Sequence, residues 1–373
     1  MAVAVKPRTK SKVRLRLGRA VTRLKNRIPY EGGNYPYVTA RVRAKKGLLF
    51  TEDVYTKMLQ IEIPQIARIL GEGTYKPEIL ALGTKLSGVD LIEVATSQRL
   101  AAVFTQILEF SEGGLRKMIG WYLDRFDVQN IKTIVRGKAF GASPQEIMDD
   151  VVAAGSMRES FLKELAEAPD LDAVFERLGG TIYGQALETL GPKVSDMKKW
   201  NQWEDLVTQL YYQNLLGVLP ERTEGTRLMR GFIRREIDIV NLRTLLRLWA
   251  SNTTLPYDPF VDGGFEIPRA ALAEMVAMDA NALAARLRQY PFAEPFAGRL
   301  KEAQTLGVGQ LVRSVEKVHL LETEKFAHLH PLSVVPILDY VVRMEREVQN
   351  IRIIARGKES GLPTEVIRDL LVV

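Results

Sequence analysis

Three ten-residue segments of this 373-residue chain align without a gap, and that internal repeat limits the fold more than any other feature. The first is Asp127-Val128-Gln129-Asn130-Ile131-Lys132-Thr133-Ile134-Val135-Arg136. The second is Asp238-Ile239-Val240-Asn241-Leu242-Arg243-Thr244-Leu245-Leu246-Arg247. The third is Glu347-Val348-Gln349-Asn350-Ile351-Arg352-Ile353-Ile354-Ala355-Arg356. The asparagines stand 111 and 109 residues apart, and copies one and three continue alike, as Gly137-Lys138 and Gly357-Lys358. A preceding helix repeats too, from Glu93 to Leu108 and from Glu204 to Leu219. Glu93 and Glu204 each lie 37 residues before their asparagine, and Glu316 lies 34 before its own. Pro220 and Pro331 close that helix in copies two and three, because a ring without an N–H cannot continue it. The period accounts for the chain as a basic arm over 1–34 and helical repeats over 35–147, 148–258 and 259–373.

Each repeat reads as helical. Between Leu91 and Ile147 apolar residues recur at three and four, with little of the alternation a strand needs. Ser143-Pro144-Gln145-Glu146 is a helix start, with serine as cap, proline first and glutamate three residues on. Pro363-Thr364-Glu365 opens the matching helix in copy three. Gly264-Phe265-Glu266-Ile267 is at most a weak strand and as easily a loop. The expected fold class is all-α, with three related bundles.

Advancing about 100° per residue from the repeated asparagine, the apolar positions two before and one, four and five after it form one continuous face. The acid three before lies inside that face and the asparagine on its edge. A half-buried acid and amide must find partners, since an unpaired buried polar group costs about 1–3 kcal/mol. The bases two and six after lie together on the opposite side, as Lys132 with Arg136, Arg243 with Arg247 and Arg352 with Arg356. Two readings of these pairs stand: solvated charge, or equivalent basic positions around one axis that meet an acidic partner or line the unit interfaces.

Charge is divided sharply along the chain. Residues 1–46 hold 14 lysines and arginines against one acid, so the net +7 hides a balance of −6 over the rest. Helix is plausible from Arg16 to Arg27, with Pro29 to stop it. The arm reads as a solvated tail or as a segment drawn to anionic lipid through residues such as Arg14, Arg16, Arg19 and Arg23. Nucleic acid would attract the same charge, but no aromatic residue occurs before Tyr30 to stack on bases.

Hydrophobic residues at 46% and charged residues at 26% make an ordinary globular mixture. With no cysteine, disulfides, thiolate metal sites and cysteine nucleophiles are excluded. The longest charge-free run, Leu206 to Pro220, falls short of the roughly 20 apolar residues of a membrane span, and no signal-peptide core is evident. The chain therefore reads as soluble and cytoplasmic. Phosphate-binding and dinucleotide-binding glycine motifs are missing, as is a nucleophile elbow. Glu324, His328 and His330 could form a metal site, since Glu324 and His328 are one turn apart, but His330 falls on the far side of a helix and Pro331 follows it. An enzyme in its own right is not the expectation, nor is a cofactor.

The run Tyr35-Pro36-Tyr37-Val38-Thr39-Ala40-Arg41-Val42-Arg43-Ala44-Lys45-Lys46-Gly47-Leu48-Leu49, the three asparagine helices and the triple period together resemble the C-subunit family of archaeal-type rotary ATP synthases. That family is related to the d-subunit of the vacuolar proton pump. The resemblance covers residues 35–373, and copy three departs from the pattern by Glu347 for aspartate and Ile353 for threonine. It implies a funnel-like protein of three pseudo-threefold-related bundles on the cytoplasmic face of the membrane. There it would rest on the proteolipid rotor ring and hold the D and F shaft subunits in a wide socket. The chain would bind neither nucleotide, ion nor nucleic acid, and would transmit torque for proton- or sodium-coupled ATP synthesis or hydrolysis. Lys132, Arg136, Arg243, Arg247, Arg352 and Arg356 are then the expected partner contacts. The alternative is a helical-repeat scaffold that binds nucleic acid through its arm.

Overall fold

The computed structural model describes residues 32–191, 197–300 and 308–373, and all regular structure among them is helical. The expected membrane contacts Arg14, Arg16, Arg19 and Arg23, and the helix expected from Arg16, lie outside the described residues. Four short helices come first: α1 (Tyr35–Lys46), α2 (Glu52–Gln60), α3 (Ile63–Glu72) and α4 (Lys76–Leu82). A long hairpin follows, α5 (Gly88–Phe110) with α6 (Gly113–Ala139), and then α7 (Pro144–Asp149), α8 (Glu159–Ala166), α9 (Leu171–Arg177) and α10 (Ile182–Leu190). The second hairpin is α11 (Met197–Val218) with α12 (Glu224–Ala250), followed by α13 (Arg269–Met275), α14 (Ala280–Leu287) and α15 (Glu294–Ala297). The third is α16 (Val308–Leu329) with α17 (Val335–Glu359), and α18 (Thr364–Leu370) comes last.

Local chemistry explains the boundaries. At α7 the Glu146 N–H donates to Ser143 Oγ while the Glu146 carboxylate accepts from the Ser143 N–H, the reciprocal cap expected from the sequence. Helices α11 and α16 end just before Pro220 and Pro331.

The hairpins stack in a cycle. Helix α11 packs on α6, the second helix of the hairpin before it; α16 packs on α12; and α5 packs on α17, so the last hairpin meets the first. This order fits three related units. Most of the core is one continuous apolar body. A second cluster lies between α12 and the helices that follow it, where Leu242, Leu246, Phe260 and Phe296 are fully buried.

The repeated asparagine does the same work three times. Asn130 donates to the Val152 carbonyl (2.8 Å) and accepts from its N–H (2.9 Å). Asn241 does so with Val261, and Asn350 with Val372. Each pins a stretch of chain some twenty residues downstream by pairing both of its peptide groups. The acid three residues earlier holds a loop in the same way. Asp127 accepts from the Ser156 and Met157 N–H groups, and Asp238 from those of Phe265, Glu266 and Ile267. Half-burial was the expectation from helical geometry; Asp127, Asp238, Asn130 and Asn241 are buried completely, because the short helices and loops cover the edge of the apolar face.

The third copy reaches its loop differently. Glu347 accepts from the Phe50 N–H (2.5 Å) and the Tyr75 hydroxyl (2.6 Å), which stand almost three hundred residues away near the start of the chain. Lys138 donates to the Ala168 carbonyl, and its counterpart Lys358 donates to that of Leu59. Helices α1, α2 and α3 pack on α17, with α2 also on α18. The intervening glycines are needed for close approach: a Cβ at Gly137 or Gly357 would lie 2.5 or 2.8 Å from Ile147 or Ile367.

Replacing Asn241 by alanine strands a buried N–H and a buried carbonyl of Val261, each worth about 1–3 kcal/mol. A loss of at least about 2 kcal/mol in urea unfolding is expected from Asn241→Ala.

Candidate functional site

The three long second helices α6, α12 and α17 come together through equivalent residues. Five positions before the asparagines stand Arg125, Glu236 and Glu345. The Arg125 guanidinium donates to both carboxylates, and Tyr212 also donates to Glu236. Burial works against the Arg125 charge, but Glu345, Tyr122 and Glu236 more than offset it and leave its pKa well above the usual value. One cation thus ties three helices across the centre.

Beside this triad opens a cavity of about 1060 Å³. Among the described residues its wall carries seven arginines against four acids, so its field is positive. His319 adds nothing to that charge, because burial pulls its pKa down to about 3 and keeps the ring neutral.

The predicted basic pairs lie where one hairpin meets the next. At the first seam Arg136 holds Glu204 with both Nε (3.2 Å to Oε1) and Nη2 (2.7 Å to Oε2), and Lys132 donates to Thr208. Burial lowers the Lys132 pKa. At the second seam Arg243 donates to Glu316 (2.6 Å), which Arg346 of α17 also holds. Burial disfavours the Glu316 charge, yet the two arginines bring its pKa below the usual carboxylate value. At the closing seam Arg356 holds Glu93 and reaches Asp150, while Arg352 donates to the Glu93 carbonyl and the Ser97 hydroxyl. Burial lowers the Arg352 pKa.

Five of the six expected residues therefore join hairpin to hairpin. Arg136, Arg243 and Arg352 also line the cavity, whereas Lys132 and Arg356 do not. Arg247 is exposed on the cavity wall, with no hydrogen bond or ion pair among the described residues. Sequence reasoning did not single out Arg125, Arg313 or Arg346. The first two occupy fixed columns of the repeat, and comparing charge down those columns is the signal that finds them.

Two of the three residues weighed for a metal make other contacts. Glu324 binds Lys46 (3.2 Å) and Arg343 (3.0 Å), and the His330 ring packs edge-on to Phe326. No group of three potential ligands suited to a metal occurs among the described residues. Nor, among those residues, is any helix long and apolar enough to cross a membrane.

Comparison with known proteins gives a consistent result. The family model described as ATP synthase (C/AC39) subunit matches residues 38–370. The A-type ATP synthase C-subunit of Methanococcoides burtonii is 35% identical over 346 residues, covering 91% of this chain and 94% of the relative. Its counterpart in Haloferax volcanii is also 35% identical, over 92% of this chain and 98% of its own length. That of Methanosarcina mazei is 30% identical over 95% of this chain and 98% of its own length.

Two outcomes test the seams. Glu316→Gln leaves two largely buried arginines without their counter-charge and should cost about 3–5 kcal/mol in urea unfolding. Glu204→Gln, whose Arg136 partner is half exposed, should cost no more than about 1 kcal/mol. Asp205 gives a pH signature. Burial raises its pKa to about 6, above the value near 3.9 of an unfolded chain. The folded state thus binds this proton more tightly, and the carboxyl lowers stability progressively as pH rises between about 4 and 6. Asp205→Asn removes that dependence while leaving an acceptor for Tyr257, so the variant should gain on the wild type across this window in urea titrations at stepped pH.

Proposed function

Because the chain belongs to the ATP synthase (C/AC39) subunit family, we propose that it is the non-catalytic central-stalk subunit of an A-type rotary ATP synthase, carrying torque between the membrane rotor ring and the shaft. The observation that carries this reading is the positive, open cavity whose wall is shared by the three equivalent helices α6, α12 and α17 together with α16. A socket for a rotating shaft needs a stiff wall with contacts distributed about an axis. The seams and the Arg125 triad supply that stiffness, since each ties two or three long helices together at once.

The ends of the socket differ. At the start of α1, Asn34 bonds the Phe110 carbonyl and the Glu112 N–H at the turn of the first hairpin. Tyr35 abuts Gly225 beside the second turn, and Thr39 reaches the Ser333 carbonyl at the third. The three turns thus gather at one end, which α1 fills. The cavity wall extends to Asp150, Gly309 and Leu370 at the opposite helix ends. In the proposed arrangement the shaft, formed by the D and F subunits, enters there. The turn end faces the proteolipid ring on the cytoplasmic side of the membrane. Exposed apolar residues at that end, Leu329 at 73% and Leu332 at 62%, suit a proteolipid contact. Residues 1–31, which precede α1 in the sequence, carry ten bases against one acid, a composition suited to anionic lipid at about 1 kcal/mol per basic residue. The third unit in this reading comprises 308–373 together with 35–82, so the spatial units cut across the order of the sequence repeats.

A C-terminally tagged chain, extracted gently in detergent, should bring down the shaft subunits, the ring proteolipid and the nucleotide-hydrolysing subunits. Recovery of nucleic acid, or of the chain alone from an intact extract, would overturn the reading. Deleting residues 1–28 should abolish salt-sensitive binding to vesicles containing anionic lipid, and unchanged binding would remove the arm from the membrane contact.

A further inference from the structure

The three seams share one geometry and differ in charge. Counting from each asparagine, the base two residues after it meets a residue 33 or 34 before the next asparagine around the cycle: Lys132 with Thr208, Arg243 with Glu316, Arg352 with Ser97. The arginine six after meets the residue 37 before: Arg136 with Glu204, and Arg356 with Glu93. At the second seam those two positions hold Arg247 and Arg313. Two seams therefore carry an arginine–glutamate pair where the third sets two arginines.

Among the described residues, neither arginine is neutralised from within. Glu316, one turn further along α16, is already shared by Arg243 and Arg346. Arg247 and Arg313 have no hydrogen bond or ion pair among the described residues, and Arg313 feels an attractive charge only at longer range, from Asp369. Burial lowers the Arg313 pKa, so an anion at this point would relieve an unmet demand. Both side chains line the cavity.

We propose that Arg247 and Arg313 form an anion notch that selects which of three equivalent orientations an acidic shaft tip adopts in the socket. This rests on the central-stalk reading and names the chemistry of the partner at that site. A carboxylate of a protein partner is the fitting occupant, because the cavity is far larger than a free anion needs. Rotated by a third of a turn, the same carboxylate would meet Arg136, whose charge is already taken by Glu204, or the wall at Asp150, which holds Arg356 at the closing seam. A neighbouring acid would then repel it. Orientation is chosen by attraction at one seam and repulsion at the other two. Because Arg247 is exposed, water serves it until the partner arrives, and the fold does not depend on the notch.

The chain contains no cysteine, which makes the orientation measurable. Single cysteines replace Gln129, Val240 or Gln349, the residues just before the three asparagines, and one cysteine is placed on the acidic tip of the D and F shaft. With the wild-type notch, a short bifunctional reagent should cross-link predominantly to one of the three positions. In Arg247→Gln/Arg313→Gln the cross-link should spread over all three, with affinity falling about tenfold at low salt and less at high salt. The exposed single change Arg247→Glu should give the same spread without touching the buried wall. An unchanged single cross-link with unchanged affinity in both variants overturns the notch and leaves the central-stalk reading standing. No binding of the shaft subunits to the wild-type chain overturns the socket reading, and the notch with it.

Discussion

A long helical hairpin with apolar residues on two sides cannot bury itself, and the rest of the architecture follows from that constraint. Each hairpin needs a neighbour on either flank. A row of three would leave two flanks open to water, and a cycle leaves none. Closure then fixes the electrostatics, since each seam must bring a base of one hairpin to the next. Where both charges are shielded, as at Glu316 with Arg243 and Arg346, the pairing holds the seam and also penalises any alternative packing.

The same constraint explains the buried polar residues. A cycle of hairpins has loops that must lie against helices, and a loop against an apolar face carries peptide groups that need partners. Asn130, Asn241 and Asn350 supply a donor and an acceptor on one short side chain. Asp127 and Asp238 supply the concentrated acceptor that a turn of consecutive N–H groups requires. Their pKa values rise because burial disfavours the charge they hold toward those loops.

Much of this was legible in the sequence because it obeys a period. The gapless repeat, the cap at Ser143, the prolines after the first long helices and the acid–asparagine spacing are local or periodic signals, and each has its counterpart in the structure. Helical geometry also put the basic pairs on a common face. It could not say what lies across from that face, which is why solvent, an acidic partner and the unit interface all stand as readings for Arg136 and Arg356. The partners of Glu347 were beyond reach for a different reason. Phe50 and Tyr75 belong to its loop in space but stand at the other end of the chain, so no periodicity links them. The charge at the second seam lies between these cases. Arg313 fills the column of Glu93 and Glu204, visible to anyone aligning that column, yet its meaning depends on knowing that the column faces Arg247.

Helices α1–α4, which complete the packing around α17, leave the ribosome well before α17 and α18. Contacts such as Phe50 with Glu347 therefore cannot form until α17 has been made, and helices α1–α4 must wait with their apolar faces unsatisfied. That long wait is the cost of a high contact order. It also acts as a check on manufacture. A chain terminated before α17 lacks both a wall and the closing seam, so it cannot close the cycle of hairpins. Only a chain that reaches α17 and α18 can close the cycle.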